Sequence, residues 1–130
     1  MVSCLYPYLY KRLSFLICMI VVFKYFFYKN YVGLSFWPFI ILKTPALKED
    51  AILINHERIH LRQQRELLIL PFYLLYLLEG IVRFFIYFDA YKAYRNISFE
   101  REAYQNEANL NYLHRRSPFV FIKYLWAENH

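Results

Sequence analysis

Glycine is nearly absent from this sequence, with two in 130 residues, and cysteine is equally rare. No repeated or low-complexity segment occurs. Cys4 and Cys18 form no CxxC pair and sit near no histidine, so they offer no disulfide framework. Cys18 lies inside an apolar run and reads as a small hydrophobe. A clustered basic patch is missing too. The net charge of +6 comes from 16 Lys and Arg against 10 Asp and Glu, but the cations are scattered. Aromatics fall in apolar runs instead of alternating with Lys and Arg, which argues against a nucleic-acid partner. Basic residues flanking apolar segments suit an anionic membrane surface, with a plain solvated face as the alternative.

What the chain has in excess is apolar and aromatic surface. Apolar residues make up 59% and aromatics 22%, including 14 Tyr and 13 Phe. One domain of this length either has an unusually large core or buries surface in lipid. Residues 13–28 are almost wholly apolar and end in the bulky Tyr25-Phe26-Phe27-Tyr28. A cleaved secretory signal would end in small residues. The run therefore predicts an uncleaved anchor helix within an N-terminal segment 1–29, ahead of a core over 30–130. A buried core helix is the alternative, since a helix over 13–28 spans only ~24 Å.

The fold class expected is mainly α, with a short extended segment before the central helix. Residues 34–42 read as extended: they are aromatic and β-branched, and Pro38 blocks a helix interior. A helix should begin at Lys48-Glu49-Asp50, with Glu49 and Asp50 in its first turn. It runs through Arg62, Gln63, Gln64 and Glu66 and can continue into 67–78 with a kink at Pro71. The stretch 67–88 is long and apolar but holds Glu79 and Arg83 at i, i+4, with Gly80 between them. Ser98 suits an N-cap for a helix from Phe99 to about Arg115, ended by Ser117-Pro118.

The chemistry resides in His56-Glu57-Arg58-Ile59-His60, which reads H-E-x-x-H. On a helix, His56 and His60 share one face, with Cβ atoms roughly 5–6 Å apart. Two imidazoles so placed can close on one Zn²⁺. Glu57 is adjacent and suited to act as general base. A third protein ligand must come from elsewhere. Glu79, Asp89, Glu100, Glu102, Glu107 and His114 are the downstream candidates. Glu100, Ala103, Tyr104 and Glu107 fall at i, i+3, i+4 and i+7, on one helix face. The small Ala103 permits close approach, so Glu100 is the expected ligand, with Glu102 as the alternative. Glu102 and Arg101 otherwise read as solvated. Glu107 could accept from the free ring N–H of a ligating histidine. Tyr104 could pack on the site or donate to substrate. Gln64, at i+4 from His60, is either a site amide or an interhelix or surface one.

The succession F-W-P-F-I-I-L, N-H-E-R-I-H and E-x-x-A-Y resembles the membrane-bound gluzincin zinc metallopeptidases, in a minimal form. Among these are the peptidase domain of BlaR-type receptors and the HtpX-type proteases. Those families carry E-x-x-A-D, whereas here Tyr104 stands at the Asp position. The run from His56 to Gln64 (HERIHLRQQ) also resembles small zincin-like domains with H-E-L-x-H-x-x-Q-Q. The resemblance covers roughly residues 34–110. It implies zinc, peptide hydrolysis and membrane association.

Convergence of residues 56, 60 and 100 constrains the topology. A straight crossing by 67–88 would put the motif and Glu100 on opposite sides of a ~30 Å layer. An apolar helical hairpin over 67–94 is therefore expected, made of helices 67–78 and 81–94 that turn near Glu79-Gly80 and dip into the membrane. A peptide or protein substrate could add to the edge of 34–42. Tyr94, Arg95, Tyr104 and His114 are candidate oxyanion donors. A membrane partner protein could complete the cleft, because the chain is short for a protease. The competing expectation is a non-catalytic or structural membrane protein that retains a zinc-binding motif.

Overall fold

The β-branched and aromatic run around Pro38 folds as a tight hairpin. In the computed structural model, which describes residues 19–27 and 30–126, strands β2 (Gly33–Phe36) and β3 (Phe39–Leu42) pair antiparallel. The register runs from Gly33↔Leu42 to Phe36↔Phe39, with Trp37-Pro38 in the turn. Pro38 thus sits where it removes no ladder donor.

The helix expected over 13–28 is not what its described part forms. Met19–Val22 is a strand, β1, parallel to β3 with Met19 opposite Phe39. Ile20, Val21 and Val22 suit an extended chain, and β3 satisfies their backbone groups. The rest of the expected anchor segment, residues 1–18, 28 and 29, lies outside the described residues. The sheet order is β1-β3-β2.

A 3₁₀ turn over Pro45–Glu49 leads into helix α1 (Ala51–Leu67). Asp50 stands one position before the helix instead of in its first turn, and its carboxylate accepts from Leu53 N at 3.0 Å. The sheet covers one side of α1: Ile40 and Leu42 meet Ile54 and Leu61, with Ile20, Trp37, Leu47 and Leu53 around them. Each such buried aliphatic contributes about 1.5–3 kcal/mol over its exposed state.

Leu68, at φ 63 and ψ 151, ends α1 and turns the chain into α2 (Ile69–Tyr87). Pro71 falls in the first turn of α2, where its missing N–H costs no helical bond, so the expected kink does not form there. The turn expected at Glu79-Gly80 does not form either: α2 runs unbroken through both. Gly80 lies beside Ile97, whose Cδ1 a Cβ there would meet at ordinary contact distance, 3.4 Å. The reversal comes later, at Phe88 (φ 51) and Asp89, whose carboxylate caps α3 (Ala90–Arg95) by accepting from Lys92 N at 2.8 Å. α3 returns along α2 and delivers α4 (Ser98–Asn106) to the side of α1 away from the sheet.

The single helix expected over 99–115 is split. α4 stops at Asn106, and α5 (Tyr112–Arg115) follows a turn. Ser98 is the first residue of α4 and not its cap. A second core of Phe72, Ile97, Phe99 and Phe121 joins α2, α4 and the 3₁₀ segment Val120–Tyr124. That last segment covers Arg101, while Gln63, Tyr112 and Arg116 cover Glu102, which corrects the expectation that the two are solvated: both are buried. Among the described residues the architecture is mainly helical, with one small three-stranded sheet.

Candidate metal centre

His56 and His60 project from one face of α1 towards α4. Their rings meet at 4.7 Å between centroids, and their Nε2 atoms are 3.1 Å apart. Glu100, from the first turns of α4, completes the group. Its Oε2 lies 3.4 Å from His56 Nε2 and its Oε1 lies 3.3 Å from His60 Nε2. All three residues are buried. A tetrahedral Zn²⁺ with bonds of about 2.0–2.1 Å has ligand–ligand edges of about 3.3–3.4 Å. The two carboxylate contacts fall at that edge, one through each oxygen, and the Nε2–Nε2 separation is a little shorter at 3.1 Å.

Hydrogen bonds fix the ring tautomers. His56 Nδ1 lies 2.8 Å from Glu107 Oε2, and a carboxylate only accepts, so Nδ1 carries the proton. His60 Nδ1 lies 2.8 Å from Gln63 Oε1. Gln63 Nε2 donates to Phe99 O at 3.2 Å and to Glu102 Oε2 at 3.0 Å, which leaves Gln63 Oε1 to accept from His60. Both Nε2 lone pairs therefore point at one spot beside a carboxylate. Glu100 Oε1 accepts from Tyr76 OH at 2.6 Å, whereas the buried Oε2 has no hydrogen-bond donor. Two imidazole nitrogens and a carboxylate converging in a buried site need a proton or a cation between them. A divalent ion suited to nitrogen and oxygen ligands fits this donor set, and zinc fits it well.

The electrostatics point the same way. Burial pushes His60 down, but the Glu100 carboxylate outweighs it and raises His60 to about 9. Burial pushes Glu100 up, yet His60 and His56 hold it well below the usual carboxylate range. The cluster attracts positive charge.

Glu57 lies between this cluster and β2. Burial raises its pKa, partly offset by His60 and His56 and by the Ser35 hydroxyl. Gly33 leaves room for the carboxylate: a Cβ on residue 33 would stand 2.8 Å from Glu57 Oε1.

The supporting residues fall partly where expected. Glu107 bonds His56, as its helical spacing suggests. Tyr104 packs edge-on against His56 at 4.6 Å, and its hydroxyl meets that of Tyr94 at 3.1 Å. The Arg95 guanidinium lies 3.5 Å from the centre of the Tyr104 ring. His114 is exposed on α5. Gln64 is not a site amide: Trp37 N donates to its Oε1 at 2.8 Å, and its Nε2 donates to Ser35 O at 3.0 Å. The two glutamines flank His60 on opposite sides of α1, so Gln63 meets α4 while Gln64 meets the hairpin. Glu102 does not face the histidines directly but reaches His60 through Gln63, whose Nε2 donates to it. Arg116 grips it with Nε and with Nη2 at 3.2 Å and also bonds Glu66, while Tyr112 OH donates to Glu102 at 3.0 Å.

Sequence reading missed Gln63, Asn55 and Tyr76. Asn55 Nδ2 reaches three backbone oxygens, those of Asn106, Glu107 and Asn109, at 3.4, 2.8 and 3.1 Å. It pins the turn that carries Glu107. Gln63 had a signal, its i+3 spacing from His60. Asn55 and Tyr76 had none short of the fold. Compared with protein-family models, curated proteins and solved structures, the chain matches none.

Proposed function

We propose that this chain is a membrane-associated, zinc-dependent peptidase in which His56, His60 and Glu100 hold the metal and Glu57 is the general base. The observation that carries this reading is the buried convergence of both Nε2 atoms, 3.1 Å apart, with the two oxygens of the Glu100 carboxylate at 3.3 and 3.4 Å, one of which has no hydrogen-bond donor. Zn²⁺ bound there would polarise a scissile carbonyl and acidify water.

The rest of the chemistry belongs to this chain's own groups. The Glu57 carboxylate takes a proton from the attacking water and returns it to the leaving amine nitrogen. Its raised pKa brings it closer to neutrality, where an acid–base group works best in both directions. The Tyr104 hydroxyl, kept protonated by burial, packs on His56 and supplies an O–H donor for a developing oxyanion, with the Tyr94 hydroxyl bonded to it. β2 is an edge strand among the described residues, and it carries Gly33 and Ser35 beside Glu57. An extended peptide laid along it would pass the general base, but at Ser35 O it would have to displace the bonds from Gln64 Nε2 and Tyr73 OH.

The membrane part rests on the inverted polarity of α2. Its inward stripe carries Tyr73, Tyr76, Glu79 and Arg83, whereas its outward face is Leu, Ile, Val and Phe. Leu70 is 82% exposed, Leu77 60% and Phe85 64%. A helix facing water shows the opposite arrangement, and an apolar face this long fits lipid. α2 is also the one helix among the described residues long and apolar enough to cross a membrane. Because α3 folds back along it, the α2–α3 hairpin would dip into the layer, leaving the metal centre on one side.

The test is Glu57→Gln. The account expects loss of peptide hydrolysis with zinc retained. Full activity in that variant overturns the base assignment. Zinc binding by the wild type with no turnover of casein or a peptide library would favour a non-catalytic metal-binding protein.

A further inference from the structure

The third ligand does not hold its own position. Glu100 is fixed from α2, by two side chains one turn apart on its inward stripe. Tyr76 OH donates to Glu100 Oε1 at 2.6 Å. Glu79, three residues on, receives the start of α4: its Oε1 accepts from Ser98 N at 2.8 Å and its Oε2 from Ser98 Oγ at 2.6 Å. Glu79 is itself held by Arg83, whose Nη2 donates to Glu79 Oε1 at 3.2 Å and to Leu125 O at 2.7 Å.

We propose that Tyr76 is the positioning residue for the metal ligand Glu100 and that Glu79 anchors the helix which carries it. The inference rests on the reading of His56, His60 and Glu100 as ligands. Tyr76 addresses α4 twice. Its ring stacks on Phe99, the residue before Glu100, at 6.2 Å and 12° between planes. Its hydroxyl occupies one carboxylate oxygen, so the other, Oε2, is left without a donor. The tyrosine thereby selects which oxygen stays free for the ion and favours single-oxygen ligation. Partners of this kind behind a ligating group orient it and tune its basicity, and their loss weakens metal binding without removing a ligand. Glu79 places the backbone of α4, so that Glu100 starts from a fixed point two residues after Ser98. Both residues come from the helix whose outer face is apolar and exposed. The metal centre and the seating of α2 are therefore joined by two short hydrogen-bonded links.

The experiment compares the full-length wild type with Tyr76→Phe, which removes only the hydroxyl and keeps the ring on Phe72 and Phe99. Two quantities are read: zinc affinity by chelator competition, and the visible spectrum of the Co²⁺-substituted protein, which reports ligand geometry. The expected result is a zinc affinity lower by about 10–100-fold and a shifted Co²⁺ band. Tyr73→Phe is the control. Its hydroxyl donates to Ser35 O at 2.7 Å instead of to a ligand, so the Co²⁺ band should stay in place. A Tyr76→Phe protein with wild-type affinity and spectrum overturns the inference while leaving the ligand set intact. A wild type that binds neither ion overturns the ligand set and the inference with it. Should Tyr76→Phe not fold, Glu79→Gln takes its place, with the same shifted band expected and an unchanged band overturning the proposal.

Discussion

The Glu57 carboxylate occupies the space that a side chain on Gly33 would fill: a Cβ there would stand 2.8 Å from Glu57 Oε1 and 3.2 Å from Leu53 Cδ1. The atom displaced is the end of a flexible side chain, so Gly33→Ala should move the carboxylate without unfolding the hairpin. We expect kcat to fall by about 10–100-fold, as misplacement of a catalytic group by roughly an ångström does. Zinc content should stay at the wild-type level. Steady-state kinetics beside metal analysis checks this, and an unchanged kcat contradicts the role given to Gly33.

Glu107 holds the His56 ring by accepting from Nδ1, and its own turn is pinned by Asn55. Glu107→Ala should weaken zinc binding by about 10–100-fold, the usual effect of removing a carboxylate behind a ligating imidazole. Chelator competition measures it. An unaltered affinity means that His56 is oriented by Tyr104 packing alone.

Arg116 should matter for stability and not for metal. Its side chain is 1% exposed, between Glu102 and Glu66, themselves 0% and 9% exposed. Arg116→Met leaves the buried Glu102 carboxylate without its cation and Glu66 with only Arg62 at 3.5 Å, a loss of about 3–5 kcal/mol. Urea unfolding of the metal-free protein should show a large drop in midpoint. A near-neutral result contradicts the idea that this network locks α4 and α5 onto α1.

The metal-free protein should lose stability as pH rises from 6.5 through about 9, because the folded state holds His60 protonated up to about 9 against an ordinary value of 6.5. The contribution is complete below 6.5 and gone above 9. Zinc must displace that proton, so its affinity should tighten by about tenfold per pH unit below 9. Thermal melts without metal and zinc titrations across this range read both trends. A flat zinc affinity contradicts the assignment of His60.

Much of the site was legible because helix periodicity acts over short distances. The i, i+4 spacing of His56 and His60 fixed one face, and the Glu100, Ala103, Tyr104, Glu107 stripe fixed the face that meets it. The same logic failed for Glu102 and Arg101. A helix covered on two sides buries charge on both, and no single-helix pattern reveals the further cover supplied by Val120–Tyr124 and by Arg116. Gly80 read as a turn because the convergence of residues 56, 60 and 100 argued against a straight crossing, yet the helix runs unbroken through it and the chain reverses only at Phe88. The strand at Met19–Val22 was hidden in a run that length and hydropathy assign to a helix, and only pairing with β3 reveals it. Glu79 looked like a polar interruption of an apolar span, and Tyr76 carried no signal. Their partners, Glu100 and Ser98, are far along the chain and become neighbours only once α3 folds back.

The most direct test is X-ray absorption at the zinc edge on the purified full-length protein, with metal stoichiometry. The account predicts close to one zinc per chain, two imidazole nitrogens and carboxylate oxygen at about 2.0–2.1 Å, and loss of the metal in Glu100→Ala. A wild-type protein that retains no zinc, or one that binds it equally well without the Glu100 carboxylate, contradicts it.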